Sequence, residues 1–95
     1  MNISVRLFTT LREISGKRNV VVSFEKGPVT LMSVLVRLAE LFGREFKDYL
    51  FTEEGAVRGH LSILINGKGI GRLEGFEAEL NEGDQVAIVP PVGGG

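Results

Sequence analysis

The stretch NEGDQVAIVPP at residues 81–91 combines a turn, an apolar run and two prolines. NEGD is a polar turn signal, and the apolar residues that follow it are typical of a strand. Pro90 and Pro91 carry no N–H group, so neither can extend a ladder of backbone hydrogen bonds. The stretch therefore predicts that the last strand ends at the prolines, with VGGG at residues 92–95 beyond it.

Two segments near the N-terminus have the pattern of half-buried strands. Ile3, Val5 and Leu7 alternate with polar residues, and VVVSFE at residues 20–25 repeats that period. Ser15-Gly16 and the polar residues after it can supply a turn between them. We expect a hairpin with a long, partly structured connection.

One helix follows the hairpin. Thr30 is a typical N-cap and Gly43 a typical C-terminal stop. The apolar residues between them are spaced for one face of a helix: Leu31, Val34, Leu35, Leu38, Leu41 and Phe42. Residues 44–60 mix charges with aromatic side chains, which predicts a short helical turn and then a loop.

The second half of the chain predicts further strands. LSILI at residues 61–65 is nearly continuous in apolar residues, as expected of a central strand covered on both faces. Asn66-Gly67 is a strong turn signal. Residues 73–80 predict a short strand or turn before the last strand.

The order of elements favours an α+β fold, because a doubly wound parallel sheet would need more helices. We expect a mixed sheet with the one main helix packed on one face, which leaves the other face bare. Strand parity places Phe8 and Val89 opposite the core residues. These two are therefore expected to form an apolar patch beside the end of the last strand.

Composition excludes several classes of protein. The 95 residues fit one domain, and the hydrophobic share of 43% and charged share of 24% are ordinary for a soluble chain. A net charge of -1 argues against nucleic acid as a partner, and no apolar run predicts a membrane span. Without cysteine there is no disulfide, thiolate zinc site or cysteine nucleophile. The N-terminus does not resemble a secretion signal, which predicts a cytoplasmic protein.

No side-chain cluster predicts an ordinary active site or a metal site. His60 is the only histidine, so we expect it to be a surface or packing residue, and the serines lack a histidine base. NGKGIG at residues 66–71 lacks the spacing of a phosphate loop and favours a plain turn. The acidic residues are expected to be solvated surface groups: Glu53, Glu54, Glu74, Glu77 and Glu79.

The glycine end allows two interpretations. It is either a flexible terminus, or a segment narrow enough to thread into a partner's active site and present its carboxylate. The second interpretation also explains the proline boundary after a strand with outward apolar residues.

The chain resembles the MoaD/ThiS family of ubiquitin-like β-grasp sulfur carriers. The resemblance rests on RLFTTLREISGK at residues 6–17, ILING at residues 63–67, LNEGDQVAIVPPVGGG at residues 80–95, and the helix between them. It implies a ubiquitin-like β-grasp domain at residues 1–91 and a flexible reactive tail at residues 92–95. Within the family, the resemblance is strongest to the small subunit of molybdopterin synthase and to archaeal small modifier proteins.

The resemblance also implies a chemistry. A ubiquitin-activating-type adenylyltransferase would form an acyl-adenylate on Gly95, and a persulfide donor would convert it to a thiocarboxylate. A large synthase subunit would then use the sulfur to build the dithiolene of molybdopterin, for molybdenum or tungsten. The chain would not be a catalyst alone and would bind no cofactor or metal directly, since ATP, magnesium and zinc belong to the partners. Strand parity for Phe8 and Val89, and the resemblance for the chain end, together give the residues expected to bind partners: Phe8, Val89, Pro90, Pro91, Val92, Gly93 and Gly94.

Two departures from the family pattern keep an alternative open. The chain ends in three glycines where two are usual, and the segments at residues 43–60 and 71–78 are longer than in compact bacterial members. The longer segments resemble archaeal members, in which the carboxylate forms an isopeptide bond with lysines of target proteins. A β-grasp interaction module with an inactive tail is the third interpretation.

Overall fold

The structure, a computed structural model, describes residues 1–70 and 75–91. The strands of this part are β1 (Asn2–Leu7), β2 (Asn19–Ser23), β3 (Val29–Thr30), β4 (Ser62–Ile65), β5 (Lys68–Gly69), β6 (Glu79–Leu80) and β7 (Gln85–Val89). The helices are α1 (Thr9–Ser15), α2 (Leu31–Phe42) and α3 (Arg44–Leu50).

Five strands form a mixed sheet in the order β2-β1-β7-β4-β5. The first and last strands, β1 and β7, run parallel to each other, and every other pair in this sheet is antiparallel. A separate two-stranded sheet joins β3 to β6. The predicted hairpin of the first two strands is confirmed, and its connection contains α1.

The prediction for residues 61–65 is wrong in one respect. β4 is not the central strand, because it lies between β7 and the short edge strand β5. Ile63 is buried on its core side, whereas Ser62 is exposed on the other side. The strand in the middle of the sheet is β7, and the continuous apolar run of residues 61–65 does not reflect burial on both faces.

Helix α2 begins and ends where the sequence predicts. The Thr30 side chain accepts a hydrogen bond from the Ser33 N–H at 3.2 Å, and the Ser33 hydroxyl accepts one from the Thr30 N–H at 3.3 Å. This reciprocal pair is a capping box. The exception is Leu41, which we expected on the apolar face and which is 56% exposed because it lies at the border of that face.

The core lies between one face of the five-stranded sheet and the helices. Its buried residues include Ile3, Val5 and Leu7 of β1, Val86 and Ile88 of β7, Leu31, Val34, Leu35 and Leu38 of α2, and Phe46 and Leu50 of α3. The helical turn predicted after Gly43 is therefore α3, and its aromatic anchor is Phe46, whose ring centroid lies 5.1 Å from that of Phe42.

Tight turns connect the strands at the two positions that the sequence marks. Asn66 and Gly67 have φ of 51° and 84°, the left-handed pair that joins β4 to β5 as a two-residue hairpin. In the NEGD turn, Gly83 has φ of 83° and the Asp84 N–H donates to the Asn81 carbonyl at 3.0 Å. Among the helices of the described part, none combines the length and apolar character that a membrane span requires.

Candidate functional site: the end of the last strand and the outer face

The carboxyl ends of β1 and β7 lie at the same end of the sheet, because these strands are parallel. Their last ladder pair is Leu7 with Ile88. Phe8 follows directly after β1, and Val89 is the last residue of β7. The chain therefore leaves the folded sheet beside Phe8, at the position where α1 begins.

Phe8 and Val89 lie on the outer face of the sheet, which is the face turned away from α2. Both are half-buried, and neither belongs to the core cluster or packs against it. The parity that the sequence predicts is therefore confirmed. The Arg6 guanidinium carbon lies 5.8 Å from the centroid of the Phe8 ring, within reach of a cation–π contact on the same face.

Small and apolar side chains continue this outer face on β7 and β4. Val89 pairs with Ser62, and Ala87 pairs with Leu64. Ala87 and Leu64 are half-buried and Ser62 is exposed. The outer face beside the end of β7 thus offers a partner an apolar surface with the Arg6 cation at its border.

The two prolines lie differently from each other. Pro90 is buried and Pro91 is half-buried. The first proline therefore belongs to the folded domain, and it offers a partner little surface of its own. The other predicted site residues, Val92, Gly93, Gly94 and Gly95, lie outside the described residues.

Two features of α1 at this end of the sheet were not predicted. Thr9, the first residue of α1, has a φ of 42°, which is rare for a β-branched residue; such backbone strain often occurs at functional sites. Arg12 on the same helix has a buried Nε atom without a hydrogen-bond partner among the described residues. Both belong to residues 6–17, but no sequence pattern reveals a backbone angle or the burial of one side-chain atom.

The described acidic residues without a predicted role, and His60, lie on the surface. His60 is exposed, and its ring meets the Tyr49 ring edge-on at a centroid distance of 5.8 Å. Glu53, Glu54, Glu77 and Glu79 are exposed, whereas Glu74 lies outside the described residues. Within residues 1–70 and 75–91, no three His, Asp or Glu side chains are grouped to hold a metal ion.

The fold and site together define a class of protein. A mixed sheet whose first and last strands pair in parallel, crossed on one face by a helix, is the ubiquitin-like β-grasp. The chain belongs to the ThiS family, whose family model matches residues 5–95.

Curated relatives include modifiers and a sulfur carrier. Small archaeal modifier protein 3 of Haloferax volcanii is 31% identical over 98 residues, which cover all of both chains. A putative sulfur carrier protein of Archaeoglobus fulgidus is 33% identical over 67 residues, which cover 70% of this chain and 75% of the relative. The chain is therefore a member of a sulfur carrier and ubiquitin-like modifier family.

Solved structures share the whole fold. Small archaeal modifier protein 1 of Haloferax volcanii superposes over all of both chains with a TM-score of 0.87 at 27% identity. A chain from the BexX/CysO complex of Amycolatopsis orientalis gives a TM-score of 0.75 at 26% identity, covering 98% of this chain and 99% of the other. A chain from the complex of subunits 1 and 2 of the molybdopterin-converting factor of Helicobacter pylori gives 0.62 at 25% identity, covering all of both. The last two are therefore similar folds solved within protein–protein complexes.

Proposed function

We propose that this protein is a sulfur carrier whose reacting group is the carboxylate of Gly95. The observation that carries the proposal is the family match itself, which extends through the glycine end to residue 95. The fold supports the proposal, since the carboxyl end of β7 lies beside the apolar outer face of the sheet. A partner that docks on Phe8 and Val89 would therefore lie beside the point where the chain leaves the sheet.

The proposed chemistry begins with the attack of the Gly95 carboxylate on the α-phosphorus of ATP, which gives an acyl-adenylate and releases pyrophosphate. The terminal sulfur of a persulfide then displaces AMP. Reduction of the sulfur–sulfur bond by a thiol leaves the thiocarboxylate. ATP and magnesium are bound by the activating adenylyltransferase in this proposal, and the carrier supplies the carboxylate and the docking surface.

The sulfur acceptor that we propose is the pterin precursor of molybdopterin, with this chain as the small subunit of the synthase. The Helicobacter pylori neighbour, solved as a complex of two molybdopterin-converting-factor subunits, supports a two-subunit arrangement. The thiocarboxylate would enter the large subunit and give up its sulfur to the dithiolene. The cytoplasm stays the predicted compartment for this pathway.

A second function is favoured by the curated relatives. Small archaeal modifier protein 3 aligns over its whole length with the whole of this chain. The same acyl-adenylate would then be attacked by a lysine amine of a target protein, which forms an isopeptide bond. The two functions share the activation step and differ only in the nucleophile.

Intact mass spectrometry tests the activation step. Incubation with the activating enzyme, ATP and a persulfide donor should replace one oxygen by sulfur in the C-terminal peptide. Deletion of Gly94 and Gly95 should abolish the change and leave the fold unaltered, because these residues lie beyond the last strand. A matched variant with one alanine added after Gly95 keeps every residue but moves the carboxylate. Sulfur acceptance by the truncated chain would refute Gly95 as the reacting residue.

A further inference from the structure

β2 forms one edge of the five-stranded sheet and lacks the usual protection of an edge. Residues 19–23 read NVVVS, with no charge and no proline, and they pair with β1 in an uninterrupted register. Val21 at the centre is 62% exposed. The opposite edge, β5, is two residues long and includes Lys68. Natural sheets block their edges by short strands, lysine or proline, so β2 is the edge left available for pairing.

Every second residue of β2 forms its backbone hydrogen bonds with β1. At the two ends of the strand, the Leu7 N–H donates to the Arg18 carbonyl at 2.9 Å and the Phe24 N–H donates to the Met1 carbonyl at 2.8 Å. Bonded residues alternate in an antiparallel ladder. The backbone N–H and C=O groups of the even-numbered residues of β2 therefore point toward β1.

The odd-numbered residues, Asn19, Val21 and Ser23, direct their N–H and C=O groups away from the sheet. One of these groups has a partner, since the Ser23 carbonyl accepts from Arg37 Nη1 at 2.7 Å. A carbonyl oxygen has a second lone pair and can accept again. The edge thus offers a row of donors and acceptors with the spacing of a β-ladder.

We propose that this edge pairs with β2 of a second copy of the chain, antiparallel and centred on Val21. In this register each Val21 exchanges both hydrogen bonds with the Val21 of the second copy. Each Asn19 exchanges both bonds with a Ser23 in the same way. All the outward groups are then used, and the two sheets become one continuous sheet.

Charge supports a second copy as the occupant. The same register places Lys17 opposite Glu25 of the second copy, and both side chains are exposed and without an ion pair among the described residues. Self-pairing therefore matches opposite charges at both ends of the interface.

The contact leaves the candidate functional site open. One strand, β1, separates β2 from β7, so the outer face around Val89 does not take part. The interface is small and belongs to the weak class, below about 1,200 Å² of total buried surface. The dimer is therefore expected to form only at high chain concentration. Its formation does not depend on the proposed sulfur chemistry.

Sedimentation equilibrium of the full chain, from micromolar to millimolar concentration, tests the pairing. We expect a monomer–dimer equilibrium that Val21→Pro weakens by about tenfold or more, because the proline removes the N–H at the centre of the interface. The bonds to β1 remain, since Val21 makes none of them. Val21→Thr keeps the N–H and the branched side chain, and it should dimerise within about threefold of the wild type, as surface substitutions do. Circular dichroism checks that both variants are folded.

A charge exchange tests the register. Lys17→Glu alone should weaken the dimer, and the double variant Lys17→Glu with Glu25→Lys should restore it, because the opposite charges then exchange places. A chain that stays monomeric at millimolar concentration overturns the proposal and leaves the edge to an extended segment of another protein. A dimer that is insensitive to Val21→Pro overturns it too, since the contact would then lie elsewhere.

Discussion

Leu7 and Ile88 are the last pair of the parallel ladder between β1 and β7, and both side chains are buried in the core. Successive residues of a strand point to opposite faces. The next residues, Phe8 and Val89, therefore lie on the outer face at the end of the sheet where the chain leaves it. Burial of this one pair fixes which face of the sheet lies against the core and which face lies outside.

Substitutions on the two faces should have opposite effects. Phe8→Asp or Val89→Asp is expected to weaken binding to the activating enzyme by about tenfold or more, because each places a charge in an apolar contact. The midpoint of thermal unfolding should change little. Leu7→Asp should instead unfold the domain, since it buries an unpaired carboxylate. Calorimetric titration and circular dichroism measure the two effects.

The matched control is Leu41→Asp, which introduces the same charge at an exposed leucine on α2. It should leave both binding and stability near those of the wild type. Loss of stability in the Phe8 and Val89 variants with unchanged binding would show that the outer face is not the docking surface.

The capping box of α2 should contribute measurably to stability. Thr30→Ala removes the acceptor of the Ser33 N–H, and we expect a loss of about 1 kcal/mol in the free energy of unfolding. For a domain of this size that corresponds to a melting temperature lower by roughly 4–8 °C. Thr30→Ser keeps the hydroxyl and should retain most of the stability. Equal losses in the two variants would mean that the methyl group, and not the cap, is responsible.

Asn66 combines a left-handed backbone with two side-chain hydrogen bonds. Its Nδ2 donates to Asp84 Oδ1 at 3.1 Å, and its Oδ1 accepts from the Gln85 N–H at 2.9 Å. Asn66→Ala should cost about 2 kcal/mol, since it loses these bonds and strains the backbone. Asn66→Gly loses the same bonds without the strain, so urea unfolding should show roughly half that cost. A glycine variant as unstable as the alanine variant would contradict a contribution from the backbone.

Sulfur delivery and protein modification predict different products in cells. Delivery returns the carrier unchanged, so immunoblots should show it at its free size, and deletion of the gene should abolish a pterin-dependent molybdenum or tungsten enzyme. Modification leaves amide-linked species that survive boiling and reductant, with Gly95 attached to lysine side chains. If the enzyme stays active in the deletion strain while such species disappear, the carrier function fails and the modifier function replaces it.

Local signals predicted much of the fold. Thr30 and Gly43 mark the limits of α2, Asn66-Gly67 marks the hairpin turn, and the prolines mark the end of β7. Each depends on chemistry within a few residues: a side chain that caps N–H groups, a backbone that tolerates positive φ, or a proline, which has no backbone N–H to donate. The parity of Phe8 and Val89 is predictable for the same reason, because it follows from strand alternation alone. The reactive role of Gly95 and the partner-binding role of Gly93 and Gly94 stay predictions.

Tertiary structure alone decided which strands are neighbours. The apolar run at residues 61–65 looks like a strand buried on both faces, yet β4 lies next to the edge and β7 takes the centre. The sequence equally did not reveal the open edge of β2, the burial of Pro90, or the buried Arg12 Nε, which has no hydrogen-bond partner among the described residues. Composition and periodicity state how apolar a segment is and which of its residues share a face. The element that covers that face is set by contacts between residues far apart in the chain, and these form only when the whole core packs.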